Sequence, residues 1–158
     1  MRRRVARTAR RGLQPWKVGL AIRVWLTFGW IVVAGRRHPL PELVRRLDRP
    51  AVRPVRPLQP SRLSRINYRL LRLGPYRPRC LHRALVHFRL LRLQGATPEL
   101  VIGLGDRPTT PDAHAWVELD GVDVGPPPGR SEHRVLARYP VRAQGRPSPD
   151  YDGNVAPS

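Results

Sequence analysis

The chain holds one thiol, Cys80, and five histidines, so any nucleophilic chemistry it performs starts from a short list. The spacing around Cys80 predicts a helix over 79–94, with Leu81, Ala84, Leu85, Phe88 and Leu91 as its apolar stripe and Gly95 as its stop. Cys80 falls in the first turn of that helix. There the helix macrodipole and the unpaired backbone N–H groups favour negative charge, which is what a thiolate nucleophile needs. Arg77 and Arg79 beside it act in the same direction. A small buried hydrophobe is the other ordinary role of a lone cysteine.

His114 is the histidine best placed to serve that thiol. It opens the run Ala113-His114-Ala115-Trp116-Val117-Glu118-Leu119, whose alternation predicts a strand over 113–119. Ala115, Val117 and Leu119 make a wholly apolar face that must meet the core. His114 shares the opposite face with Trp116 and Glu118, and there an imidazole can take a thiol's proton and return it to a leaving amine. His82 and His87 on the cysteine's own helix, His38 before Pro39 and His133 in a late polar segment read as surface groups. Trp116 reads as packed beside the site or as lining a peptide groove.

The elements that must position this pair are helices followed by strands. Helices are expected over 15–34, 41–47 and 61–73, the last with Leu63, Ile66, Leu70 and Leu73 on one face. A proline-rich connector over 48–60 separates the second and third. After the cysteine helix come short strands over 99–104, 113–119 and 122–125, with Asp120-Gly121 as a hairpin turn and a further strand over 134–139. The order implies an α+β fold with an antiparallel sheet. The expected organisation is a helical region with its connector over 1–60, a catalytic core over 61–142 and a disordered tail over 143–158.

Composition bounds the partners. With 158 residues, 41% hydrophobic, there is room for one core, while 19 prolines and 13 glycines imply much loop. One cysteine excludes an intramolecular disulfide and a multi-cysteine zinc site, and suits a reducing cytoplasm. The formal charge of +19 suggests nucleic acid, but all 30 basic residues except Lys17 are arginine, spread from Arg2 to Arg146 without forming one stripe. Aromatics for stacking on bases are only 6% of the chain. An arginine-rich GC-biased composition explains the charge, and an acidic partner, peptide or membrane surface fits better than specific nucleic-acid reading. The apolar run 18–35 admits a signal peptide with Val32 and Ala34 before the cut, or a short span. Arg23 within it opposes spanning. It reads as a buried or membrane-grazing helix, which adds peripheral membrane contact to the expected partners.

Arg79-Cys80-Leu81-His82-Arg83-Ala84-Leu85, then Leu100-Val101-Ile102-Gly103, then Ala113-His114-Ala115-Trp116-Val117-Glu118 with Asp120-Gly121, resembles a known family. These motifs are similar to the stand-alone leader peptidases of lasso peptide biosynthesis, the B-type maturation proteins among the transglutaminase-like cysteine proteases. The resemblance implies a cysteine-led helix packed on an antiparallel sheet that supplies the histidine. It implies removal of the leader from a ribosomally made precursor peptide, with Cys80 as nucleophile and His114 as base and acid, and with no metal or other cofactor. The implied partners are the precursor, a separate leader-recognition protein and a lasso cyclase. The chain has no spare length for a fused recognition domain, in keeping with the stand-alone form.

The family's third catalytic residue is an acid on the return strand, about twelve residues after the histidine, and that count reaches Pro126. Asp123 is the expected replacement, with Glu118 and Asp120 as the other nearby acids and a two-residue Cys–His site as the fallback. A degenerate homologue that only binds the precursor peptide, or a related acyl-transfer enzyme, is the alternative function. Strand alternation places 124 and 126 on one face and 123 on the other, so Asp123 needs a bulge beside the turn to re-aim it.

Overall fold

The computed structural model describes residues 14–50, 57–74, 78–105, 113–125 and 133–140. Pro126, the tail from 143 and the middle of the proline-rich connector lie outside them. Four helices come first: α1 (Pro15–Ala34), α2 (Leu40–Leu47), α3 (Pro60–Arg72) and α4 (Cys80–Leu93). Four strands follow, β1 (Glu99–Gly105), β2 (Ala113–Leu119), β3 (Val122–Asp123) and β4 (His133–Tyr139). They form one antiparallel sheet in the order β3-β2-β1-β4. The α+β expectation holds, with helices before sheet in the chain.

Local chemistry sets the ends of these elements. Proline occupies the first turn of α1, α2 and α3, where a missing N–H costs nothing. At the end of α4, Gly95 takes φ +85°. The Gly95 and Ala96 N–H groups then close on the carbonyls of Arg92 and Leu91 at 3.1 Å each, a Schellman cap. The turn between β2 and β3 carries φ of 50° at Asp120 and 77° at Gly121, the mirror-image geometry that suits the twist of a tight hairpin. β3 is shorter than expected, two residues rather than four.

α4 is the centre of the molecule. Ala84, Leu85, Val86, His87, Phe88, Leu90 and Leu91 are all buried, because α4 packs on the sheet while α1, α2 and α3 pack on it. The apolar stripe expected for this helix is therefore only part of its buried surface. α1 contributes Val24, Phe28, Ile31 and Ala34 to the same core, and the sheet contributes Leu100, Ala115 and Val117. Arg89 and Arg92 reach from α4 to the C-terminal end of α2. Arg92 donates to the Asp48 carbonyl at 2.8 and 2.9 Å, and Arg89 to the carbonyls of Leu47 and Arg49. Cations at that helix end meet the negative pole of the macrodipole.

The face of α3 differs from expectation. Leu63, Ser64, Asn67 and Leu71 are the buried positions, whereas Leu73 is 79% exposed. Asn67 turns inward because its amide donates to the Arg83 carbonyl of α4 at 3.1 Å, which offsets the desolvation of one polar group with a hydrogen bond. His87 is likewise 1% exposed rather than a surface group. Its ring donates to the Pro60 carbonyl, and burial pushes its pKa down to about 4, so it is neutral in the folded protein.

Candidate active site

Cys80 is the first residue of α4, preceded by Arg79 in extended conformation, and no acidic residue stands in the first turn. The Arg83 N–H is the first to close a helical bond, to the Arg79 carbonyl at 3.2 Å. The N–H groups of Cys80, Leu81 and His82 thus precede the helical ladder and point out of the helix end. Cys80 is half-buried, and its Sγ lies 3.7 Å from the carbonyl oxygen of Ala113. The packing of α4 on β2 therefore carries the thiol to the start of the strand, against the residue preceding His114.

His114 sits opposite Gly103 of β1. Its ring stacks on Trp116, centroids 6.2 Å apart at 19°, and on His133 of β4, 5.1 Å apart at 30°. The stack depends on the glycine: a Cβ at Gly103 would stand 2.7 Å from the Trp116 ring, so no larger residue leaves room for the indole. Trp116 is buried, and its indole N–H donates to Glu118 at 2.9 Å. Glu118, fully buried, also accepts from Arg138 at 2.7 Å, and Arg138 bridges to Glu99 at 3.2 Å. The bond to Glu118 is the main reason that the Arg138 guanidinium holds its proton more strongly than usual. This network packs the histidine's face of the sheet and leaves Glu118 committed to structure.

Asp123 pairs across the hairpin with Glu118. Paired residues share a face, so Asp123 stands on the histidine's face of the sheet and needs no bulge to reach it. Glu118 and His114 are four residues apart on β2, about 13 Å of extended chain. Asp123 Oδ1 accepts the Gly125 N–H at 2.7 Å, a local turn that fixes the carboxylate. Asp120 is exposed in the turn itself. The fold thus brings Cys80, on the α4 side, to the Ala113 end of β2, sets the His114 ring on the opposite face with Trp116 and His133, and holds Asp123 towards the other end of the strand.

Two neighbours were not singled out from sequence. His133, taken as a surface group, stacks on His114. It comes there because β4 pairs with β1 beyond β2, a long-range placement with no local signal. Tyr68 of α3 lies under the Arg83 guanidinium, 5.4 Å from the ring centre. Burial pushes its phenol up to about 12, against the pull of Arg83, and the nearby Cys80 and Asp123 push it further up. Tyr68 is thus a protonated hydroxyl in electrostatic range of both. Nothing local in the sequence marks it, because the face of α3 that turns inward was itself not the expected one. His82 is partly buried beside Phe28, rings 6.1 Å apart, and burial lowers its pKa.

A family model described as the transglutaminase-like superfamily matches residues 20–138, most of the chain and every described element from α1 to β4. The chain belongs to the transglutaminase-like superfamily. That superfamily includes cysteine peptidases and acyl-transferases. No curated protein and no solved structure matches the chain. The match gives the transglutaminase-like domain α1 as well as the cysteine helix and the sheet.

Proposed function

We propose that this transglutaminase-like domain is a cysteine peptidase that removes the leader from a ribosomally made lasso precursor peptide. The observation that carries the reading is the thiol of Cys80, at the head of α4 and 3.7 Å from the carbonyl of the residue before His114. Cys80 Sγ attacks the scissile carbonyl while His114, whose ring turns from its stack on Trp116 and His133 across the open start of β2, accepts the thiol proton. The oxyanion forms beside the unladdered N–H groups at the start of α4, which stabilise developing negative charge. His114 then passes the proton to the leaving amine, freeing the core peptide and leaving the leader as a thioester on Cys80. Water, deprotonated by the same imidazole, hydrolyses the thioester and restores the thiol.

Asp123, about four residues along the strand from His114, acts on the site only through the field that it shares with Cys80 at the Tyr68 hydroxyl, and the reading rests on Cys80 and His114. The freed amine is what an ATP-dependent cyclase needs to close a ring, so a lasso cyclase and a leader-recognition protein are the proposed partners. The test is cleavage of a candidate lasso precursor peptide, sought among short open reading frames beside the gene, followed by mass spectrometry with and without a co-encoded recognition protein. Wild type should yield leader and core, and Cys80→Ala should yield neither. Cleavage at wild-type rate by Cys80→Ala would sink the reading. A product lengthened by an added amine would mark the site as an acyl-transferase instead.

A further inference from the structure

α1 has two faces of opposite fate. Val24, Phe28, Ile31 and Ala34 are buried against α4, while Val18, Ile22, Leu26, Trp30 and Val33 form an exposed apolar stripe along the helix's full length. Leu26 is 70% exposed, and Ile22 and Val33 are each 55% exposed. Gly19 and Gly29 beside the stripe have open space where a side chain would stand, so no described element covers it. A continuous apolar strip of this kind on a soluble domain marks a contact surface.

Charge identifies what the surface meets. On one side of the stripe a groove of about 390 Å³ beside Leu26 and Trp30 is lined by Arg46, Arg49 and Arg89. At the N-terminal end of α1, a groove of about 500 Å³ between α1 and α3 is lined by Lys17, Arg62, Arg65 and Arg69. Lys17, Arg49, Arg62, Arg65 and Arg69 have no carboxylate partner among the described residues. An apolar ridge carrying a tryptophan and flanked by cations is the layout of a helix that rests in a bilayer interface, side chains among acyl chains and guanidinium groups among phosphates. We propose that α1 docks the domain peripherally on an anionic membrane surface, lying in the plane of the bilayer on its Val18–Ile22–Leu26–Trp30–Val33 ridge.

Two other arrangements fit less well. The helix is long and apolar enough to cross a membrane. Spanning would, however, pull Val24, Phe28 and Ile31 out of the core they share with Leu85 and Phe88. A second copy would bring two chains of charge +19 together through arginine-flanked faces, which like-charge repulsion opposes.

The test is flotation of the full chain with vesicles of phosphatidylcholine alone and with phosphatidylglycerol added. Binding should appear only with the anionic lipid and weaken as salt rises. The variant Ile22→Ser with Leu26→Ser leaves the charge unchanged and lies outside the core, which circular dichroism checks. It should bind about tenfold more weakly than wild type. Brominated acyl chains should quench wild-type tryptophan fluorescence more than that of Trp30→Phe. The proposal is overturned if anionic vesicles do not bind, or if the serine variant binds as wild type does, which marks simple adsorption of charge. It is equally overturned if the serine substitutions convert a dimer to a monomer, or abolish capture of an acidic protein while leaving vesicle binding intact.

Discussion

The two faces of the sheet are buried by different physics. Towards α4, Leu100, Ala115 and Val117 meet Leu85, Phe88 and Leu91, a packing of hydrocarbon on hydrocarbon. On the other face Trp116 and Glu118 are just as buried, but they sit among His114, His133, Arg138 and Glu99, joined by stacking, hydrogen bonds and ion pairs. The first face tolerates changes of shape if volume is kept, because apolar contact has no direction. The second does not, because every member has a partner at a set distance. The His114 ring gains order from the second kind of surrounding: in a triangle with the rings of Trp116 and His133 it has few orientations to choose from.

Activity gives the largest expected separation between the faces. On the proposed mechanism His114→Ala should remove precursor cleavage as completely as Cys80→Ala, since members of a catalytic pair act as a unit. It should lower the thermal midpoint only modestly, by the loss of its contacts with Trp116 and His133, because His114 is only partly buried. Phe88→Ala should do the reverse, costing about 4 kcal/mol of stability by denaturant titration while sparing turnover of the folded fraction. If Phe88→Ala and His114→Ala cannot be told apart by these two measurements, the division between a packing face and a working face is wrong.

Next in size is the polar network. Arg138→Ala leaves the fully buried Glu118 facing Glu99 across the β1–β2 pair with no cation between them. Breaking a buried ion pair from one side is strongly destabilising, and partial exposure of Arg138 puts the expected loss near the low end, about 3 kcal/mol. Adding Glu118→Gln to that variant should restore part of the stability, since the buried charge is then gone. Equal stability of the single and double variants would mean that the network is ornament to a face packed by Trp116 alone. Asp123→Asn sharpens the same comparison at the edge of the sheet. A lowered turnover with unchanged stability would give its carboxylate a part in catalysis, and unchanged turnover would reduce the site to Cys80 and His114.

What was legible in the sequence follows the same division. α1 and β2 begin and end where periodicity and turn chemistry put them, and the apolar face of β2 is the core face. These are properties of a few neighbouring residues. The buried polar residues were not legible in this way. Asn67 and His87 look like surface positions because their partners, the Arg83 and Pro60 carbonyls, lie on other helices. The Arg138–Glu118 pair and the His133–His114 stack depend on β4 crossing to the far side of β1. Alternation along one strand carries no record of which strand lies beside it. For the site, Cys80 and His114 stood out by type and local position. The parts that needed the fold were the approach of Cys80 to the Ala113 carbonyl, the stacking of His114 on His133 and the register of Asp123 with Glu118.

The smallest expected effect contrasts two buried ionisable groups, one on each side of the sheet. Glu118 is buried with a cation, whereas His87 is buried as a neutral ring on α4, its pKa pushed down by desolvation to about 4 from an ordinary value of 6.5. In the unfolded chain His87 takes up a proton as pH falls through about 6.5, while the folded protein does not until pH approaches about 4. Between those values the unfolded state binds more protons, so stability must fall as pH falls. Above about pH 7 neither state is protonated and the contribution vanishes. The loss at about pH 5.5 should be on the order of 1 kcal/mol, and it reaches its limit below about pH 4. Denaturant midpoints of wild type and His87→Gln across this range measure it. The variant should be less stable at neutral pH, having lost the fitted ring, yet its stability should decline less between about pH 7 and 5. Parallel pH profiles for the two proteins would assign the acid sensitivity to other groups and leave His87 as packing alone.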